Sequence, residues 1–244
     1  MKWIFLSPHL DDAILSCGGI MWQLKQQGDT VLAWTIFSGD PPDSGLTPVA
    51  EDLHRRWGTG LNATRIRRAE DRSACERLGI QYQHEDWLDC IYRILPGTGH
   101  PTIGKLEELS RPVPPEEAYL TREISREIEE MLSPGCRLVS PLAIGGHIDH
   151  RHVRAAVDML DGQPQYYADF PYAARGERLE ALGGESAWHK EQFTLSKEAL
   201  AAWQDAVACY VSQISTFWQS ESAMRAAVKD FASRGGGSFL LRRV

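Results

Sequence analysis

Two short stretches carry the residue types that metal-assisted hydrolysis uses. Ser7-Pro8-His9-Leu10-Asp11-Asp12 sets an imidazole and two carboxylates close together, and Gly146-His147-Ile148-Asp149-His150 sets two imidazoles around a third carboxylate. His9 and Asp12 are three residues apart, as are His147 and His150. On a helical turn that spacing projects both side chains to one side. Two histidines and a carboxylate around an open position are the usual donor set of a catalytic zinc, with water as the remaining ligand. One such cluster means little. With 8 histidines and 33 acidic residues in 244, about one His-x-x-acid pair arises by chance. A core histidine followed by a helix-capping aspartate would look the same. Both clusters together are hard to explain as packing, because buried charges need partners or a metal.

The elements around the clusters say where they lie. Trp3 to Leu6 is an apolar run without alternation, as in a parallel strand covered on both faces. From Asp12 the apolar residues fall at helical steps (Ile14, Cys17, Ile20, Met21, Leu24), and Gly28 closes the helix. Thr30 to Phe37 reads as a second buried strand, so the chain opens with a βαβ unit and a parallel sheet. A polar loop runs to about Thr59. The pattern then predicts a charged amphipathic helix over Ala63 to Leu78, a third strand over Ile80 to Leu88, and a helix over Glu116 to Leu132. Arg137 to Ser140 is a short strand leading into the second cluster, which opens a helix reaching Leu160. Gln165 to Asp169 and Ser238 to Arg242 read as strands, Leu195 to Gln213 and Ser220 to Arg234 as helices. The segment Pro96 to Pro115, rich in proline and without a period, reads as a lid or rim loop. Both clusters follow strands and open helices, which puts them at the carboxyl edge of the sheet, where open α/β sheets bind ligands.

Composition narrows the class. A hydrophobic content of 43% and a charged content of 24% suit a globular protein, and 244 residues suit one large α/β domain spanning 1–244, with no repeat and no linker. The net charge of −7 argues against a nucleic-acid partner. The five scattered cysteines form no Cys-x-x-Cys pair and read as free thiols in a reducing compartment. No apolar run reaches the ~18 residues of a membrane helix, and the expected location is cytoplasmic. The apolar helix Leu200 to Ile214 offers an interface to a second copy.

These motifs resemble those of the PIG-L/LmbE-like N-deacetylases. Ser-Pro-His9-Leu-Asp11-Asp12-Ala-Ile-Leu-Ser-Cys-Gly-Gly is similar to the family's P-H-P-D-D-E motif, and His147-Ile-Asp149-His150 to its H-x-D-H motif. The resemblance extends to Arg68-Ala-Glu70, to Asp89 after the third strand, and to Tyr210-Val-Ser212-Gln213. Leu10 replaces the family's second proline and Ala13 its glutamate. Neither position is a ligand or base in the family, so Ala13 bears on the pocket lining or the support behind it, and through that on substrate class.

The resemblance implies a Rossmann-like, three-layer α/β/α fold and zinc-dependent removal of an N-acetyl group from an N-acetylglucosaminyl conjugate or related amide. It implies that His9, Asp12 and His150 bind the metal, with Asp11 beside the activated water as general base. His147, as imidazolium, would stabilise the oxyanion, with Asp149 holding its ring in the charged form. Arg68 and Asp89 are the expected contacts to sugar hydroxyls. The aromatic run Tyr166 to Tyr172, with Trp57, Trp87 and Tyr92, would wall the pocket or fill the core. A His₂Asp site also accepts iron, cobalt or manganese.

Three other readings are weaker. A longer or cyclic amide would suit the same chemistry. A non-catalytic sugar- or nucleotide-binding module would be expected to lose the donor residues, and Cys17-Gly18-Gly19 lies inside the first helix, where no dinucleotide fingerprint sits. A serine hydrolase would need a G-x-S-x-G elbow, which is absent.

Overall fold

Alternate residues of the central strands point into different cores, which is the period-two signature of a sheet covered on both faces. In the computed structural model, which describes residues 1–43, 45–175 and 188–244, β1 (Lys2–Ser7) sends Trp3 and Phe5 to one side. It sends Ile4 and Leu6 to the other. β1 pairs in parallel with β2 (Thr30–Thr35) and β4 (Cys136–Pro141), β2 with β3 (Gln81–His84), and β4 with β5 (Gln165–Tyr167). β7 (Phe239–Arg243) runs antiparallel to β5 and to β6 (Trp188–Gln192), giving the order β3-β2-β1-β4-β5-β7-β6. The architecture is a mostly parallel α/β/α sandwich.

The first face is covered by α1 (Asp12–Gln26) and α3 (Ala63–Leu78), with α6 (Lys197–Val207) packed on both. The second is covered by α4 (Ala118–Met131) and α5 (Ile148–Asp158). α8 (Glu221–Ser233) closes a further cluster around Trp203 and Phe231. No described helix is long and apolar enough to cross a membrane.

Three differences from the expected elements have local causes. The polar loop before Thr59 holds a helix, α2 (Pro48–Trp57), whose signals are the Thr47 cap on the Ala50 N–H, Pro48 in the first turn and Gly58 at φ 67°. Only Val49, Ala50 and His54 of it are buried, so it lacks an apolar stripe. The helix expected over 195–213 is two, α6 and α7 (Val211–Phe217). At the break, the Tyr210 hydroxyl donates to Asp71 at 2.6 Å, and Glu70 accepts from the N–H and hydroxyl of Ser212 at 2.8 and 2.6 Å, capping α7. β6 escapes the sequence because it is a polar edge strand.

Within α1 the sequence Cys17-Gly18-Gly19 has a packing role. Cys17 leaves helical dihedrals (φ −148°), and the Trp203 indole N–H donates to the Ile14 carbonyl at 2.7 Å. A Cβ on Gly18 would stand 2.6 Å from the Trp203 ring, so α6 approaches α1 this closely only over glycine. The apolar side of residues 200–214 is spent on that contact: Trp203, Ala206, Val207 and Tyr210 are buried, while Val211 faces solvent.

Candidate active site and metal centre

The strand order reverses direction on either side of β1 and β4, so the loops leaving their carboxyl ends diverge and open a crevice. The first loop is Pro8 to Asp11 and the second Leu142 to His147, so both clusters meet there. β3 contributes Asp89 and Arg93 from the segment after it, β5 contributes Asp169, and α3 contributes Arg67. The second loop turns through Gly145 at φ 88°, where a Cβ would stand 2.7 Å from the Tyr172 ring, so glycine is required on both counts.

His9 Nδ1 lies 3.1 Å from Asp12 Oδ2, and His150 Nε2 lies 3.2 Å from the same oxygen. Two imidazoles thus converge on one carboxylate oxygen, the donor types of a catalytic zinc, with each nitrogen near the ~3.3 Å from that oxygen that tetrahedral bonds of ~2.0–2.1 Å would set. The opposite nitrogen of each ring rests on a buried carboxylate. His9 Nε2 is 3.0 Å from Asp149 Oδ2, and His150 Nδ1 is 2.7 Å from Asp169 Oδ1. Metal-binding histidines are oriented by such partners. His9, His147 and His150 also bring one nitrogen each within 4.8 Å of one another, so His147 borders the same space.

The electrostatics favour positive charge at this spot. Burial opposes charge on His9, yet Asp89, Asp12 and Asp149 hold its pKa well above the usual imidazole range. Burial likewise opposes charge on His150, but Asp12 and Asp169 raise its pKa to about 10. Asp11 is different. Burial, with the Asp12 charge beside it, pushes its carboxyl up to about 7, which suits a proton acceptor working near neutrality.

His147 departs from the expected imidazolium. Burial, and then the charges of His9 and His150, hold its pKa well below the usual value. Its Nδ1 accepts the Asp149 backbone N–H at 3.2 Å, capping α5 and leaving the ring proton on Nε2. Asp149 departs too, for its carboxylate bonds to His9 rather than holding the His147 ring. It also accepts the Cys90 N–H at 2.9 Å and pairs with Arg93 at 2.7 Å. The loops from β1 and β4 interleave, and that puts His9 nearer to Asp149 than its own neighbour is.

Arg68, the expected substrate contact, is engaged elsewhere, and its neighbour Arg67 stands beside Asp11. Arg68 donates to the Ser38 carbonyl at 2.8 Å and pairs with exposed Asp86, tying α3 to the loops after β2 and β3. Arg67 is buried, lies 3.7 Å from Asp11 and stacks on Trp57, with no hydrogen-bond partner for Nε among the described residues. The periodicity of α3 could have found it, because position 67 falls on the buried face with Ala63, Asp71, Ala74 and Leu78. Asp89 lines a narrow cleft, about 10 Å³ in volume, with Arg67, Thr64, Tyr92 and Leu10, 3.7 Å from His9 Nε2.

The remaining candidates divide. Tyr166, Tyr167 and Phe170 are core, and of the run only Tyr172 flanks a site residue, its ring centred 6.3 Å from that of His150. The Trp87 indole donates to Glu127, and the Tyr92 hydroxyl meets His54 at 2.6 Å. Ala13 faces the core rather than the pocket. The 96–115 segment is held at the rim, with the Ser110 hydroxyl on the Gly145 carbonyl at 2.9 Å and Thr102 buried on Glu117. Sequence reasoning missed Asp169 and the buried pair of Arg93 with Glu117 (2.8 and 3.0 Å), which also holds His152. A carboxylate just beyond a strand next to β4 was the available signal for Asp169; nothing local marks the pair.

A mostly parallel sheet with these donors at its switch point belongs to the class of three-layer α/β/α proteins that could hold a metal there. The family described as "PIG-L: GlcNAc-PI de-N-acetylase" matches residues 4–160, and the chain belongs to it and is an N-deacetylase. The 2'-N-acetylparomamine deacetylase of Niallia circulans is 31% identical over 187 residues, 70% of this chain and 67% of that protein. The zinc-inhibited form of teicoplanin deacetylase Orf2 superposes with a TM-score of 0.83 at 27% identity, covering 100% of this chain and 98% of that one. The deacetylase of the A40926 pseudoaglycone superposes with a TM-score of 0.73 at 27% identity, over 99% and 95% of the two chains.

Proposed function

We propose that this chain, folded as a single domain over residues 1–244, uses a zinc ion to remove the acetyl group from an N-acetylated amino sugar carried on a larger small-molecule scaffold. The observation that carries the reading is the clamping of His9 and His150, each between Asp12 and a buried carboxylate of its own. The relatives, deacetylases of 2'-N-acetylparomamine, of teicoplanin and of the A40926 pseudoaglycone, support the sugar and the scaffold. The free thiols suit the reducing cytoplasm.

In this mechanism His9, Asp12 and His150 would hold the cation. When bound it supplies positive charge that brings the pKa of water toward ~7 and polarises the amide carbonyl. Zinc suits two imidazoles and a carboxylate, and ferrous iron fits the same donors. Asp11 takes the proton from the attacking water and returns it to the leaving amine, a double use for which a pKa near neutrality is suited. His147 stays neutral and donates Nε2–H to the oxyanion. Asp149 and Asp169 keep the two ligand rings in place. Arg67 and Asp89 bind sugar hydroxyls beside Asp11, while Arg68 secures the wall behind them.

The test is acetate release by zinc-loaded protein from a panel of N-acetylglucosaminyl conjugates, beside an Asp11→Asn variant. Turnover that chelator abolishes and that the variant loses by about 10²–10⁴-fold is expected. Bound metal without turnover of any acetyl conjugate would transfer the reading to a longer acyl chain. Absence of both metal binding and turnover would sink it.

A further inference from the structure

Beside the His9–Asp12–His150 set lies a second group of donors that the mechanism does not use as ligands. The sulfur of Cys90, a ring nitrogen of His147 and a carboxylate oxygen of Asp149 lie within 4.8 Å of one another. Among the described residues, Cys90 is the one cysteine found in a three-donor group; Cys17 and Cys75 sit in the apolar core. Its side chain is fully buried, so no surface reaction explains its place there. The neighbouring triad of His9, Asp89 and Asp149 shares the same Asp149 and brings a further carboxylate to the spot.

We propose that Cys90, His147 and Asp149 form a second, weaker site for a thiophilic divalent ion, and that filling it inhibits the enzyme. Three donors of three kinds around one point are what a tetrahedral ion needs, and a thiolate selects zinc or cadmium over magnesium, calcium or manganese. Bonds of ~2.3 Å to sulfur and ~2.0 Å to nitrogen would draw the donors from within 4.8 Å to about 3.6 Å. The thiol proton passes to solvent as the sulfur–metal bond forms. Arg93, 2.7 Å from Asp149, competes for that carboxylate, which is why this site is the weaker of the two. The inhibitory consequence rests on the function proposed above: for the ion to take the Nε2 lone pair the ring proton shifts to Nδ1, which releases the Asp149 N–H, and the oxyanion loses its Nε2–H donor. The binding itself does not rest on that reading.

Cadmium titration of protein already holding one zinc separates the two statements. The wild type is expected to take up one further ion per chain, with a sulfur-to-cadmium charge-transfer band in the ultraviolet. Cys90→Ser is expected to lose the band and weaken the second equivalent by at least about tenfold while keeping the first. His147→Ala provides an independent check, lowering second-ion affinity with Cys90 in place. A wild type that stops at one ion, or a Cys90→Ser protein that still takes two with an unchanged band, overturns the site. A second equivalent that binds through Cys90 without reducing deacetylation overturns the inhibition and keeps the site.

Discussion

The carboxylates behind the two ligand histidines give them their orientation, so their loss should be read in the metal rather than in the fold. Asp169→Asn keeps the shape of the partner on His150 and removes its charge. Metal affinity is expected to fall by about 10–100-fold, measured by competition with a chromogenic chelator. Protons and metal compete for the same nitrogens. Because Asp12, with Asp89 and Asp149 on one side and Asp169 on the other, raises the pKa of both His9 and His150, each carries a proton that the ion must displace. The apparent metal affinity should therefore rise with pH through the neutral range, by up to two protons released per ion, as read by titration in buffers of differing ionisation enthalpy. Asp11 works only when ionised, so kcat/KM should climb with pH on the acid side with a midpoint at or below about 7. The bound cation can only move that midpoint down.

Helix α1 depends on a close approach rather than on propensity. Alanine is the better helix former, yet a Cβ at residue 18 would meet the Trp203 ring at 2.6 Å. Gly18→Ala is therefore expected to destabilise by about 1–3 kcal/mol in urea unfolding, the overpacking cost outweighing the propensity gain of about 1 kcal/mol. Trp203→Phe should also destabilise, because it leaves the Ile14 carbonyl at the kink without its donor. α3 and α7 depend on each other in a similar way. Glu70 caps α7 through Ser212, and Asp71 takes hydrogen bonds from both Tyr210 and His84. The Arg-x-Glu and Tyr-x-Ser-Gln sequences, far apart in the chain, are thus two halves of one junction.

The buried chain Glu117–Arg93–Asp149–His9 connects the base of α4 to the first loop of the sheet. Burial opposes ionisation of Glu117, but His152, Arg93 and Thr102 bring its pKa down from the ordinary 4.5 to about 2. The folded state thus binds this proton less readily than the unfolded chain does. Its stabilisation is complete above about pH 4.5 and is lost as pH falls toward 2. Integrated over that window the loss reaches roughly 3 kcal/mol. Glu117→Gln should lower stability near neutrality by about 3–5 kcal/mol, since Arg93 loses its partner, and should flatten the acid limb. Denaturant midpoints from pH 2 to 7 for both proteins test this; a wild-type curve that is flat across the acid range would overturn the assignment.

Sequence by itself determined the parallel sheet, the carboxyl-edge position of both clusters, and the set His9, Asp11, Asp12, His147, Asp149, His150. Strand apolarity, helical spacing and strand-to-helix junctions are all local and leave their mark in order along the chain. Tertiary structure alone decided who meets whom across the crevice. It put Asp149 on His9 instead of His147, made His147 a neutral cap of α5, and brought in Asp169 from β5. It also turned Arg67 rather than Arg68 toward Asp11. Each of these depends on which loop lies over which and on how α3 is rotated against the sheet. Those outcomes are set by packing between segments more than a hundred residues apart for His9 and Asp149, and no local pattern encodes them.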